Sequence, residues 1–93
     1  EVAPLGGEDA IVPRPPAIAY DKHAQGTAAI AVSVDAQGTP LRCAVTQSSG
    51  YAVLDASVCR AAMQARYSPR RVDGRSVAGV YRDAFTFRSS DGQ

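Results

Sequence analysis

Few side chains in this 93-residue chain are equipped for chemistry, and their spacing narrows what that chemistry can be. Cys43 and Cys59 come first. Fifteen residues separate them, and His23 is the one histidine in the chain. A zinc site needs four such ligands and a dithiol redox site needs a two-residue gap, so neither fits. Two options stay open: a structural disulfide in an oxidising compartment, or two unrelated buried thiols. Ser48, Ser49, Asp55 and Asp73 make no nucleophile–base pair or paired carboxylates, and Gly6-Gly7 sits in linker-like sequence rather than in a phosphate-cradling loop. Ser48 and Ser49 suit a turn, Asp55 a helix start and Asp73 a second turn. The reading is a non-enzyme without metal or cofactor.

Composition bears on the cysteine question. Of the hydrophobic 45%, 17 residues are alanine, and Leu, Ile, Val and Phe together number 18. A chain of this length buries only about 60–65% of its unfolded surface, so the core is thin. A disulfide closing a loop of about seventeen residues would add ~3 kcal/mol in the chain-entropy account. Net charge +1 argues against disorder and against a basic nucleic-acid module. No apolar run approaches the ~20 residues of a membrane-spanning helix. Residues 10–88 hold ten basic and five acidic side chains, with arginines scattered as on a solvated face.

Residues 1–15 have the composition of a linker, with Pro4, Pro13 and Pro15, Gly6-Gly7 and no period. Pro16 ahead of Ala17 and Gly26 after Gln25 punctuate a short N-terminal helix, with His23 near its end as a surface or capping residue. Thr27 to Asp35 alternates, Ile30, Val32 and Val34 on one face, which predicts a strand with one buried side. A turn over 36–40 leads to a second strand in which Leu41, Cys43 and Val45 face the core together. Leu54, Val58, Ala61, Ala62 and Ala65 form a helical stripe, with Asp55 as a cap or first-turn acid and Arg66 near the end. Cys59 lies at the edge of that stripe, within reach of a strand-borne Cys43. After Pro69 and the Val72–Arg75 turn, Tyr81, Phe85 and Phe87 alternate in a last strand. Asp83 falls on their face, which calls for a bulge or an exposed strand end. The fold class is α+β: a three-stranded antiparallel sheet with one long helix packed on one face and a short N-terminal helix, in the order helix-strand-strand-helix-strand. Residues 89–93 read as a polar tail.

Several stretches, in order, resemble the C-terminal domain of the TonB energy-transducer family. Pro16 followed by Gly26 is similar to its Tyr-Pro start and first-strand glycine, with Pro15 in place of the tyrosine. Val32-Ser33-Val34-Asp35-Ala36-Gln37-Gly38 resembles V-x-V-D-x-x-G, and Val45 to Gly50 with Leu54-Asp55 resembles V-x-x-S-S-G…L-D. Ala65 to Pro69 is similar to the aromatic-x-Pro helix ending, Gly74 with Val77 to G-x-x-V, and Phe85-Thr86-Phe87 to the closing strand. The cysteine pair resembles that of TonB-like paralogues with one cysteine in the second strand and one in the helix.

The resemblance implies residues 16–88 as the domain, after the end of a Pro-rich spacer at 1–15. It implies a periplasmic domain of an inner-membrane-anchored protein, joined to a proton-driven motor complex through a missing N-terminal part. Its partners would be TonB-dependent outer-membrane transporters, whose TonB box adds as a strand to the sheet edge. With the first strand central, that edge is Val80, Tyr81, Arg82, Asp83, Ala84, Phe85 and Thr86. Val12, Arg14 and Pro15 would be a secondary contact, and Cys43 and Cys59 the disulfide. The isolated domain would be a monomer or weak dimer, with no nucleic-acid partner. The alternative is a TolA-like or regulatory envelope module with the same fold and no transporter partner.

Overall fold

The computed structural model describes residues 2–7, 10–15 and 25–88. In chain order these form β1 (Ala3–Pro4), β2 (Gly26–Val34), β3 (Pro40–Gln47), α1 (Ala52–Gln64), β4 (Tyr67–Ser68), β5 (Arg70–Val72), β6 (Arg75–Val77) and β7 (Gly79–Phe87). The main sheet is antiparallel in the order β3-β2-β7, with β2 central as expected. The short N-terminal helix expected after Pro16, with His23, lies outside the described residues, as does the 89–93 tail.

The alternation in β2 becomes burial. Ala28, Ile30, Val32 and Val34 are at most 1% exposed, while the intervening residues are half-buried on the other face. α1 lies over β2 and β3 and buries Leu54, Ser57, Val58 and Ala62. Ser57 tolerates burial because its Oγ donates to the Leu54 carbonyl at 2.8 Å. The β2–β3 turn is organised by Asp35, whose Oδ1 accepts from the Gln37 and Thr39 amides, both at 2.9 Å.

The second strand departs from its expected face. Val34 pairs with Pro40 and Ser33 with Arg42, so Leu41 is an extra, bulged residue. Pro40 therefore turns inward, and Leu41 is 59% exposed. Val45 lies opposite Ile30 on the core side, yet it remains 41% exposed at the sheet edge. Of the three residues expected to face the core, only Cys43 packs against it.

The start of the chain also differs from its linker-like composition. Val2 and Ile11 are 7% and 4% exposed and belong to the core cluster. β1 pairs antiparallel with β4, and the Leu5 amide donates to the Arg66 carbonyl at 2.9 Å. The few apolar residues among these prolines and glycines carry no period, which is why composition does not reveal this docking.

The expected Val72–Arg75 turn is the tip of the β5–β6 hairpin. Asp73 and Gly74 take φ of 52° and 79°, the left-handed pair that a two-residue Asp-Gly hairpin requires.

Candidate functional site

β7 is the sheet's outer strand on one side, and among the described residues no strand lies beyond it. It pairs with β2 through nine consecutive positions, Gly26 with Phe87 to Val34 with Gly79, without a register shift. Tyr81, Asp83 and Phe85 are half-buried on the core side, while Val80, Arg82, Ala84 and Thr86 are exposed on the open face. The seven residues expected to form the edge are thus one continuous strand. Thr86 and Thr27 share a hydroxyl–hydroxyl bond of 3.0 Å across the open face.

Asp83 needs neither a bulge nor an exposed strand end. Its Oδ2 accepts from the Tyr81 hydroxyl at 2.6 Å, and its Oδ1 from the Ala84 amide at 2.7 Å. Beneath it, the Tyr67 and Tyr81 rings stand 5.5 Å apart. Tyr67 is 1% exposed, and its hydroxyl donates to the Ala62 carbonyl at 2.7 Å. Burial, with the Asp83 charge adding to it, pushes the Tyr67 phenol up to about 12.

The opposite edge, β3, is fastened down. Cys43 on β3 and Cys59 on α1 form a disulfide with Cα atoms 5.6 Å apart, which decides between the two readings left open for these thiols. Asp55 ties the end of β3 to the helix start by accepting from the Ser49 amide at 2.9 Å and from the Ser48 and Ser49 hydroxyls. Burial pushes the Asp55 carboxyl up, but these three hydrogen bonds outweigh it and leave it below its ordinary value. Asp55 is a first-turn acid and not the cap: Tyr51 holds the N-cap position without a side-chain bond. Arg66 lies beyond the end of α1, and its guanidinium donates to the Ala65 carbonyl at 3.1 Å.

Two hollows among the described residues bear on the expected contacts. Val12 and Arg14 form one wall of a groove of about 250 Å³, with Ser57, Arg60, Ala61 and Gln64 of α1 on the other. Pro15, next in the chain, is half-buried and does not line the groove. Of the expected secondary contact, Val12 and Arg14 thus lie against α1 rather than β7. A second crevice, of about 440 Å³, opens at the head of β7 between Val2, Arg70, Arg71, Gly79 and Val80. It joins residues far apart in the chain, and no local pattern marks it.

The family model described as Gram-negative bacterial TonB protein C-terminal matches residues 12–89, spanning the sheet, the helix and both edges. This chain belongs to that family. Protein TonB of Vibrio cholerae serotype O1 is 37% identical to it over 68 residues, 73% of this chain and 28% of that protein. The chain therefore spans little more than a quarter of its curated relative. The solution NMR structure of the Pseudomonas aeruginosa TonB CTD aligns with 99% of the chain and 90% of its own length, at a TM-score of 0.74 and 22% identity. That likeness shows the TonB C-terminal fold: an antiparallel sheet with a helix against it.

Proposed function

We propose that this TonB C-terminal domain is the periplasmic docking end of an energy transducer, binding the TonB box of outer-membrane transporters on the free edge of β7. The observation that carries the reading is the contrast in strand quality. β7 offers nine residues of unbroken register, no proline and, among the described residues, no strand beyond it. Such an edge supplies a row of main-chain donors and acceptors to an added strand, and needs no catalytic side chain. Pull from the inner-membrane motor would enter through the N-terminal segment and leave through the strand bound to β7. Val12, Arg14 and Pro15 form the weaker, secondary contact with the transporter segment.

The test is an NMR titration with TonB-box peptides from transporters of the same cell. Shifts concentrated in residues 79–88 are expected. No binding at millimolar peptide, or shifts mapping to β3, overturns the assignment. In the TolA-like or regulatory reading, no TonB-box peptide shifts β7.

A further inference from the structure

The crevice at the head of β7 lies where an added strand would end. Its closeness depends on Gly79: a Cβ there would stand 2.7 Å from a methyl of Val2 and 3.1 Å from the Arg70 Cβ. Only glycine lets the docked N-terminal segment and β5 close in on the start of the edge strand. Arg70 and Arg71, adjacent on β5, are both exposed there. Neither guanidinium has a hydrogen-bond or ion-pair partner among the described residues. Among those residues, Asp35 is engaged in its turn, Asp55 on Ser48 and Ser49, and Asp83 on Tyr81, while Asp73 is exposed at the hairpin tip.

We propose that this crevice is a carboxylate-reading subsite continuing the β7 edge, taking an acidic side chain at the end of the added strand that reaches Gly79. The inference rests on strand addition at β7. Main-chain pairing holds any extended segment, so choice among segments must come from side chains. Of the exposed side chains of β7, Ala84 and Thr86 are small and offer little discrimination, and Arg82 stands mid-strand, away from the end at Gly79. Arg70 and Arg71 line the crevice with Val2 and Val80, and a guanidinium fork matches a carboxylate while apolar neighbours exclude part of the water. The partner that fits is an extended segment with an acidic residue at one end, seated against Arg70 and Arg71.

The experiment uses three capped seven-residue peptides of alternating Thr and Val: one with Glu first, one with Glu last, one with Gln at both ends. Each is titrated into the labelled domain and into Arg70→Gln/Arg71→Gln. Both arginines are exposed, and glutamine keeps the carbons that pack at Gly79. One Glu peptide is expected to bind about fivefold tighter than the Gln peptide, with added shifts at Gly79 and Val80. The double variant should erase that preference and leave the Gln-peptide affinity within about twofold. Equal affinity for all three peptides, with shifts along 81–86, overturns the subsite and leaves strand docking intact. A preference that survives the double variant also overturns it. Failure of every peptide to shift β7 removes the docking reading, and the subsite with it.

Discussion

β3 and β7 both flank β2, but β3 meets it with unpaired residues at Leu41 and Thr46, whereas β7 pairs at nine positions without a break. β3 also begins at a proline and is bound to α1 by the Cys43–Cys59 bridge and, through the serines after its end, by Asp55. The aromatic side chains beneath β7 and its pairing with β2 hold that strand. Bulges and a proline spoil a strand as a template for further pairing, whereas an even register leaves its outer groups evenly presented. One sheet thus has an irregular, tethered edge and an even one, the better template for an added strand. The staple is on the irregular side.

The largest expected effect tests whether the staple belongs to β3 alone. Cys43→Ser with Cys59→Ser should lower unfolding free energy by about 3 kcal/mol in urea. Amide exchange should quicken most in β3 and α1, and peptide affinity at β7 should change less than about twofold. A fall in affinity beyond tenfold would mean that the two edges are coupled, and the contrast would fail.

Asp55→Ala should cost about 1–2 kcal/mol by freeing the Ser48–Ser49 turn from the helix. Because the folded carboxyl lies below its ordinary 3.8, its contribution is fully present above that value and is lost as pH falls through the folded one. Acid melting curves of wild type and Asp55→Ala should therefore converge at low pH. Parallel curves would show that Asp55 acts otherwise.

Tyr67→Phe probes the support beneath β7. Loss of the bond to Ala62 should cost about 1 kcal/mol near neutrality. The phenol is raised from 10.0 to about 12 in the fold, so its contribution is intact below pH 10 and disappears as pH climbs towards 12. Fluorescence-monitored unfolding across that range should show a steeper loss for wild type than for Tyr67→Phe. The smallest effect belongs to the irregular edge: Val45→Thr should leave stability within about 0.5 kcal/mol and peptide shifts unchanged.

Much of the fold is legible along the chain because its periods are local. Ile30, Val32 and Val34 announce β2, and Leu54, Val58 and Ala62 announce α1. The tyrosine–phenylalanine alternation announces β7 and even exposes Asp83 as an anomaly. Leu41 misleads because alternation within a strand is blind to how its partner is registered; the turn held by Asp35 sets the pairing that ejects it. Val2 and Ile11 stay hidden because each is one apolar residue without a period. The β7 strand of the candidate site could be located by its residues, but the crevice beside it could not. It is assembled from positions 2, 70–71 and 79–80, which only folding makes neighbours.

Residue order by itself determined the family, the strand and helix pattern, and two cysteines placed where a bridge could form, since each follows from local periodicity or short motifs. Tertiary structure decided the rest: that the bridge exists, that the N-terminal segment packs into the core, and that β3 is bulged while β7 is even. The reason is physical. Side-chain periodicity selects which face of an element is buried, but register, edge quality and crevices arise from pairings between distant segments.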